Sequence, residues 1–213
     1  MRTLERGIEL GELEASPRVV VGFSDLTPLL NRIAFEHGLI TIHGPTLVSL
    51  AELDEAAREH LRRMLFEPEP GIAIEGTEAL VPGSASGRLC GGNLAMLAHT
   101  LATPLEVHTR DRILLLEEVG EVPYRLDRLL TQLRLAGLLG HAAGVVVGHL
   151  CGQDDAEAEL LEVARERLGD LEVPVLLGLP VGHRPDQLAL PIGARVLLDG
   201  PSRRLVLEEP VVR

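Results

Sequence analysis

The stretch Arg18-Val-Val-Val-Gly-Phe-Ser-Asp-Leu-Thr27 decides how this chain folds. Val19 to Val21 form a short apolar, β-branched run, which predicts a strand buried on both faces. Gly22 permits a sharp turn. Leu26, Leu29, Leu30 and Ile33 then recur at the i, i+3, i+4, i+7 spacing of an amphipathic helix that Gly38 ends. Pro28 fits the first turn of that helix, where amide groups lack partners in any case. Ser24 is thereby placed on a strand-to-helix turn at the C-terminal end of a strand. The N–H groups of the helix start lie beside it and stabilise an anion. The position suits a nucleophilic serine. It also suits a helix cap by Ser24 or Asp25, and for these ten residues alone a cap is the commoner role.

Working outward, Leu39-Ile-Thr-Ile-His-Gly-Pro45 predicts a second strand running into a turn. Ser49 and Glu52 form a capping box before a helix with Leu53, Ala56, Ala57, Leu61 and Met64 on one face. Glu67-Pro-Glu-Pro-Gly71 breaks regular structure, and residues 67–86, rich in Pro, Gly, Ser and Glu, read as a linker. This divides the chain into an N-terminal part, residues 1–66, and a C-terminal part, residues 87–213. In the second part, Gly91, Gly92 and Asn93 read as a helix start approached closely by other backbone. Ile113 to Leu116, Gly144 to Gly148 and Val173 to Leu177 read as strands. Helices are predicted from Pro123 and from about Asp155 to Leu168. Ala194 to Leu198 and Leu205 to Leu207 predict a terminal hairpin around Gly200-Pro-Ser-Arg-Arg204. Alternating apolar strands and helices predict an α/β fold with a mostly parallel sheet. In such sheets ligands bind beyond the carboxyl ends of the strands. Polar residues stand at four of these ends: Ser24, Glu117, His149 with Cys151, and His183.

Composition removes several classes of function. At 213 residues the chain is long enough for a substantial core. Its net charge of -12 disfavours nucleic-acid backbones as partners, and no apolar run approaches the ~20 residues of a membrane span. The first residues, Met-Arg-Thr-Leu-Glu-Arg-Gly, lack the apolar centre of a signal peptide, so a cytoplasmic location is expected. All 20 basic residues are Arg. Without lysine, Schiff-base chemistry, a Ser-Lys dyad and a phosphate-loop lysine are all excluded.

Ser, Glu and His are the members of a hydrolytic triad, in which histidine takes the proton of the attacking serine and a carboxylate orients the histidine. Each also has a plainer role: Glu117 as a solvated strand end, with Glu118 or Glu121 the important acid, and His183 as a loop residue. His43, beside Gly44-Pro45, reads as structural. Cys90 and Cys151 have no metal-ligand spacing, and no His-x-x-x-His or Cys-x-x-Cys pair occurs.

Five linked motifs resemble one family. Gly22-Phe-Ser-Asp-Leu-Thr27, His43-Gly-Pro45, Gly91-Gly-Asn-Leu-Ala-Met96, Leu116-Glu-Glu-Val-Gly-Glu121 with Pro123-Tyr-Arg125, and Gly182-His183 through Leu190-Pro-Ile-Gly193 are similar to motifs of the L,D-carboxypeptidases. These are the muramoyltetrapeptide carboxypeptidases and their relatives, the microcin C immunity proteins. The resemblance spans nearly the whole chain in order. It implies a flavodoxin-like N-terminal domain, present in part, joined to the C-terminal α/β domain. It implies Ser24 as nucleophile, Glu117 as orienting carboxylate, His183 as general base and the backbone N–H of Asp25 as an oxyanion donor. The implied reaction removes the terminal D-alanine from cytoplasmic murein tetrapeptides during peptidoglycan recycling, in a homodimer, with no metal or organic cofactor.

Family members carry a further stretch upstream, including an Arg-Gly-Gly-Tyr-Gly type loop that supplies a second oxyanion donor. Arg2-Thr-Leu and Gly7-Ile-Glu-Leu look like the segment just after it, so the chain is expected to begin within that domain. Three rivals stand beside this reading. One is a silent peptide-binding or dimerisation module, and another a microcin C-type peptide-nucleotide hydrolase, disfavoured by the absence of Trp. The third is an α/β-hydrolase esterase, which expects Gly where this chain has Leu26.

Overall fold

The computed structural model describes residues 15–67, 70–153 and 156–211, with Leu10 and Leu13. The stretches from Arg2 and from Gly7 compared above lie almost wholly outside these residues. The Arg18–Thr27 segment folds as a short strand, β1 (Val21–Gly22), a single 3-10 turn (Ser24–Leu26) and a helix, α1 (Thr27–Glu36). Leu30, Ile33 and Ala34 bury the apolar stripe of α1, and Gly38 follows its end at φ +67°. Strand β2 (Thr41–His43) pairs in parallel with β1, so that Gly22 faces His43. A 3-10 turn (Ser49–Glu52) then leads to α2 (Glu55–Phe66).

Strands β3 (Ala73–Glu75), β4 (Glu78–Val81) and β5 (Ser84–Asn93) lead to α3 (Leu94–His99). Strand β6 (Arg112–Glu121), α4 (Pro123–Leu135), α5 (Leu138–His141), β7 (Gly144–Gly152) and α6 (Glu157–Leu168) continue the alternation. Strands β8 (Val175–Leu177), β9 (Leu190–Ile192), β10 (Arg195–Asp199) and β11 (Arg204–Leu207) complete it. Two sheets result: β1-β2-β9, and an eight-stranded sheet in the order β3-β11-β10-β5-β6-β7-β8-β4.

Side-chain alternation along β6 shows how the layers meet. Leu114 and Leu116 face the helices, packing with Leu94, Leu126, Leu130, Leu133, Leu160 and Leu168. Ile113 and Leu115 face the other way, toward Ile42, Met64, Leu190 and Ile192 of the small sheet and α2. Helices thus cover one face of the large sheet and the small sheet covers part of the other. The carboxyl ends of β1, β5 and β6 meet in the angle between them.

Several expectations need correction. Val19 is 56% exposed, because β1 forms an edge of its sheet, so this segment is not buried on both faces. The large sheet is mixed rather than mostly parallel: β5, β6, β7 and β8 run parallel, flanked by antiparallel β10, β11, β3 and β4. The expected terminal hairpin is β10 with β11. Residues 67–86, read as a linker, carry β3 and β4 and the start of β5, and β4 pairs with the distant β8. Asp54, not Ser49, caps α2, its Oδ1 accepting from the Ala57 amide at 2.7 Å. Ser49 instead accepts from the Thr46 amide at 3.0 Å.

Candidate active site

Ser24 has φ +56°, a left-handed conformation that costs a non-glycine residue about 1–3 kcal/mol and gathers at functional turns. The turn is tight because Leu26 folds back over Gly22: a Cβ on Gly22 would lie 2.4 Å from the Leu26 Cδ1. Leu26 therefore occupies the place that a second glycine holds in the α/β-hydrolase elbow. Ser24 is half-buried and Asp25 exposed.

Glu117 lies on β6 at the register shift between Leu116 and Glu118, where pairing with β7 slips. The extra residue of that shift lies on β7, between Val147 and Leu150, while β6 stays in register with β5, so Glu117 keeps the face of Leu115. The carboxylate has no exposed surface, and its Oε2 lies 2.8 Å from Nδ1 of His183. Gly182 makes the approach possible: it has φ +139°, and a Cβ there would sit 3.1 Å from Glu117 Oε2. With Nδ1 as donor to the carboxylate, a neutral His183 ring carries its lone pair on Nε2. The ring of Phe23, next to Ser24, packs on that of His183 with centroids 4.5 Å apart. A cleft of about 170 Å³ opens here, lined by Phe23, Ser49, Leu53, His183, Arg184 and Gln187 among others. A depression of about 210 Å³ around Phe35, His108 and Arg112 lies elsewhere and contains none of these groups.

The structure thus brings Glu117 to His183 and packs Phe23, the residue before Ser24, on the His183 ring. Glu118, the rival acid, points to the helix side and caps α3, accepting from the Ala95 amide at 2.7 Å and Asn93 Nδ2 at 3.0 Å. Burial raises its pKa. Glu121 pairs loosely with Arg125 at 3.9 Å. Burial holds His149 below the ordinary histidine range, and its Nε2 is 3.7 Å from Asp186. Neither cysteine is activated: burial pushes the Cys90 thiol up to about 12 and raises that of Cys151. Arg184 is ion-paired with Glu157. No cluster of three or more metal-ligating side chains occurs among the described residues. Sequence reasoning read His43 as structural. It is 1% exposed, packs edge-on against Phe23 with centroids 6.3 Å apart, and has no hydrogen-bond partner on either nitrogen.

Comparison with known proteins gives a consistent answer. Residues 86–198 match the family described as the LD-carboxypeptidase C-terminal domain. A murein tetrapeptide carboxypeptidase of Pseudomonas aeruginosa is 33% identical over 93% of this chain and 68% of its own length. A relative from Streptomyces coelicolor is 41% identical over 93% of this chain and 64% of its own. The chain therefore spans about two thirds of the length of these relatives. The crystal structure of a muramoyltetrapeptide carboxypeptidase from Oxalobacter formigenes superposes with a TM-score of 0.80 at 27% identity, covering 96% of this chain and 73% of that one.

Proposed function

The chain belongs to the LD-carboxypeptidase family of S66 peptidases, and from that premise we propose that it is a serine peptidase cleaving the terminal D-alanine from murein tetrapeptides. The observation that carries this reading is the buried Glu117–His183 hydrogen bond of 2.8 Å beside the Ser24 turn.

In the proposed reaction Nε2 of His183 accepts the Ser24 hydroxyl proton as Oγ bonds to the scissile carbonyl carbon. Glu117 fixes the tautomer and stabilises the imidazolium that forms. The negative charge on the carbonyl oxygen falls beside the Asp25 amide, one oxyanion donor. The tetrahedral intermediate collapses, the C–N bond breaks, and His183 returns its proton to the departing D-alanine amine. Water then attacks the acyl-enzyme, again with His183 as base, releasing the tripeptide and restoring Ser24. The same reading takes the enzyme as a cytoplasmic homodimer in peptidoglycan recycling, on the strength of the family resemblance.

The test is mass analysis of tetrapeptide and of pentapeptide ending in D-alanyl-D-alanine, each incubated with the chain. An L,D-carboxypeptidase shortens the tetrapeptide by one alanine and leaves the pentapeptide intact. Cleavage of the pentapeptide alone, or of neither, would overturn the proposal.

A further inference from the structure

Unpartnered buried side-chain N and O atoms are few among the described residues, and most of them lie around one carboxylate. Both ring nitrogens of His43 and Oε1 of Glu117 lack partners, as does Nδ1 of His149 nearby; the remaining one, Oε2 of Glu121, lies at the far end of β6. Leaving such a group unpaired costs roughly 1–3 kcal/mol each, so their meeting in one place calls for a shared partner.

The contacts put His43 and Glu117 in one shell. His43 closes β2, while Glu117 lies on β6 opposite Asn93 of β5. A Cβ on Gly92, the residue before Asn93, would lie 3.3 Å from Nδ1 of His43 and 2.8 Å from Oγ1 of Thr27. Phe23 touches both the His43 and the His183 rings, and His183 holds Glu117. Glu117 and His183 are the titratable groups whose charges act on His43, in opposite directions, while burial keeps its imidazole neutral. A neutral imidazole offers one N–H donor. Glu117 has one filled oxygen and one empty one.

We propose that His43 is a positioning residue for Glu117, its ring N–H reaching Oε1 through one buried water so that the carboxylate is held from both sides. Such waters occupy sites where two to four otherwise unsatisfied polar atoms converge. His183 fixes Oε2, His43 fixes Oε1, and the carboxylate cannot rotate away. The inference builds on the role proposed above for Glu117, but its first test does not need turnover.

In the full chain with nitrogen-15-labelled histidine, His43 is expected as a neutral ring whose single N–H exchanges slowly with water. Its nitrogen shifts should move on Glu117→Gln, which changes the acceptor. A His43 ring that charges with the exposed histidines, or whose signals ignore Glu117→Gln, would overturn the proposal. Kinetics supply the second arm. His43→Phe keeps the packing but removes the donor, and should lower kcat about ten- to a hundredfold with little change in KM, as losses of outer hydrogen-bonding partners do. His43→Gln, which restores a donor, should recover most of that loss. Equal losses in Phe and Gln variants would contradict positioning by hydrogen bond. A chain with the predicted spectra but no peptidase activity would refute the proposed function and leave this pairing standing.

Discussion

Nδ1 of His183 lies 2.8 Å from Oε2 of Glu117, a carboxylate with no exposed surface although it sits 66 residues away in the chain. A buried carboxylate costs several kcal/mol of desolvation unless it is paired, so this bond fixes the histidine tautomer as well as its own partner. Glu117→Gln keeps the shape but removes the charge. It should lower turnover by about a thousand- to ten-thousandfold, the scale seen when a triad acid becomes an amide. Circular dichroism should show the fold retained. Near-normal turnover in a folded Glu117→Gln variant would remove Glu117 from the proposed triad.

Ser24 holds φ +56° at the turn after β1. Glycine adopts this conformation without penalty, so Ser24→Gly should raise the free energy of unfolding by about 1 kcal/mol, net of glycine's larger unfolded-state entropy. Activity should be lost in the same variant. Chemical denaturation measures the first and alanine release the second. A variant less stable than the parent would mean that the turn is relaxed as it stands.

One buried histidine, His43, and two half-buried ones, His60 and His149, set a pH dependence. Burial is the first cause holding His43, His60 and His149 below the ordinary histidine range in the folded chain. Unfolded, each titrates near ~6.5. Between the folded and unfolded values the unfolded chain binds more protons, so stability rises with pH there and levels off above about pH 7. Glu118, raised by burial, works in the opposite direction, at the acid side of that window. The urea midpoint should therefore fall from pH 7.5 to pH 5.5, and fall less in His43→Phe. An equal fall in both would show that His43 is not a buried neutral group.

Much of this arrangement is legible in the sequence, and the limits have physical causes. The Arg18–Thr27 stretch reads correctly because turn, helix stripe and Gly38 are local signals. What is missed there is the exposure of Val19, which depends on β1 being an edge, and that of Leu26, which lies in the 3-10 turn before the helix rather than on its buried stripe. The choice between Glu117 and Glu118 rests on parity. Residue 117 shares the face of Ile113 and Leu115, toward the small sheet, and Glu118 that of Leu114 and Leu116, toward the helices. The sequence shows the alternation but not which face meets the small sheet; the family motif supplied that choice. Strands β3 and β4 escaped because their partners, β11 and β8, lie far along the chain. His43 reads only as structural from sequence, because the neighbours of a buried histidine are not visible there.

The most direct measurement of the central claim is D-alanine release from murein tetrapeptide by the chain, alongside Ser24→Ala and His183→Ala. The account predicts release by the unsubstituted chain and losses of at least about a thousandfold in both variants, the scale of removing a triad member. Release that survives in Ser24→Ala, or no release by the unsubstituted chain, would contradict it.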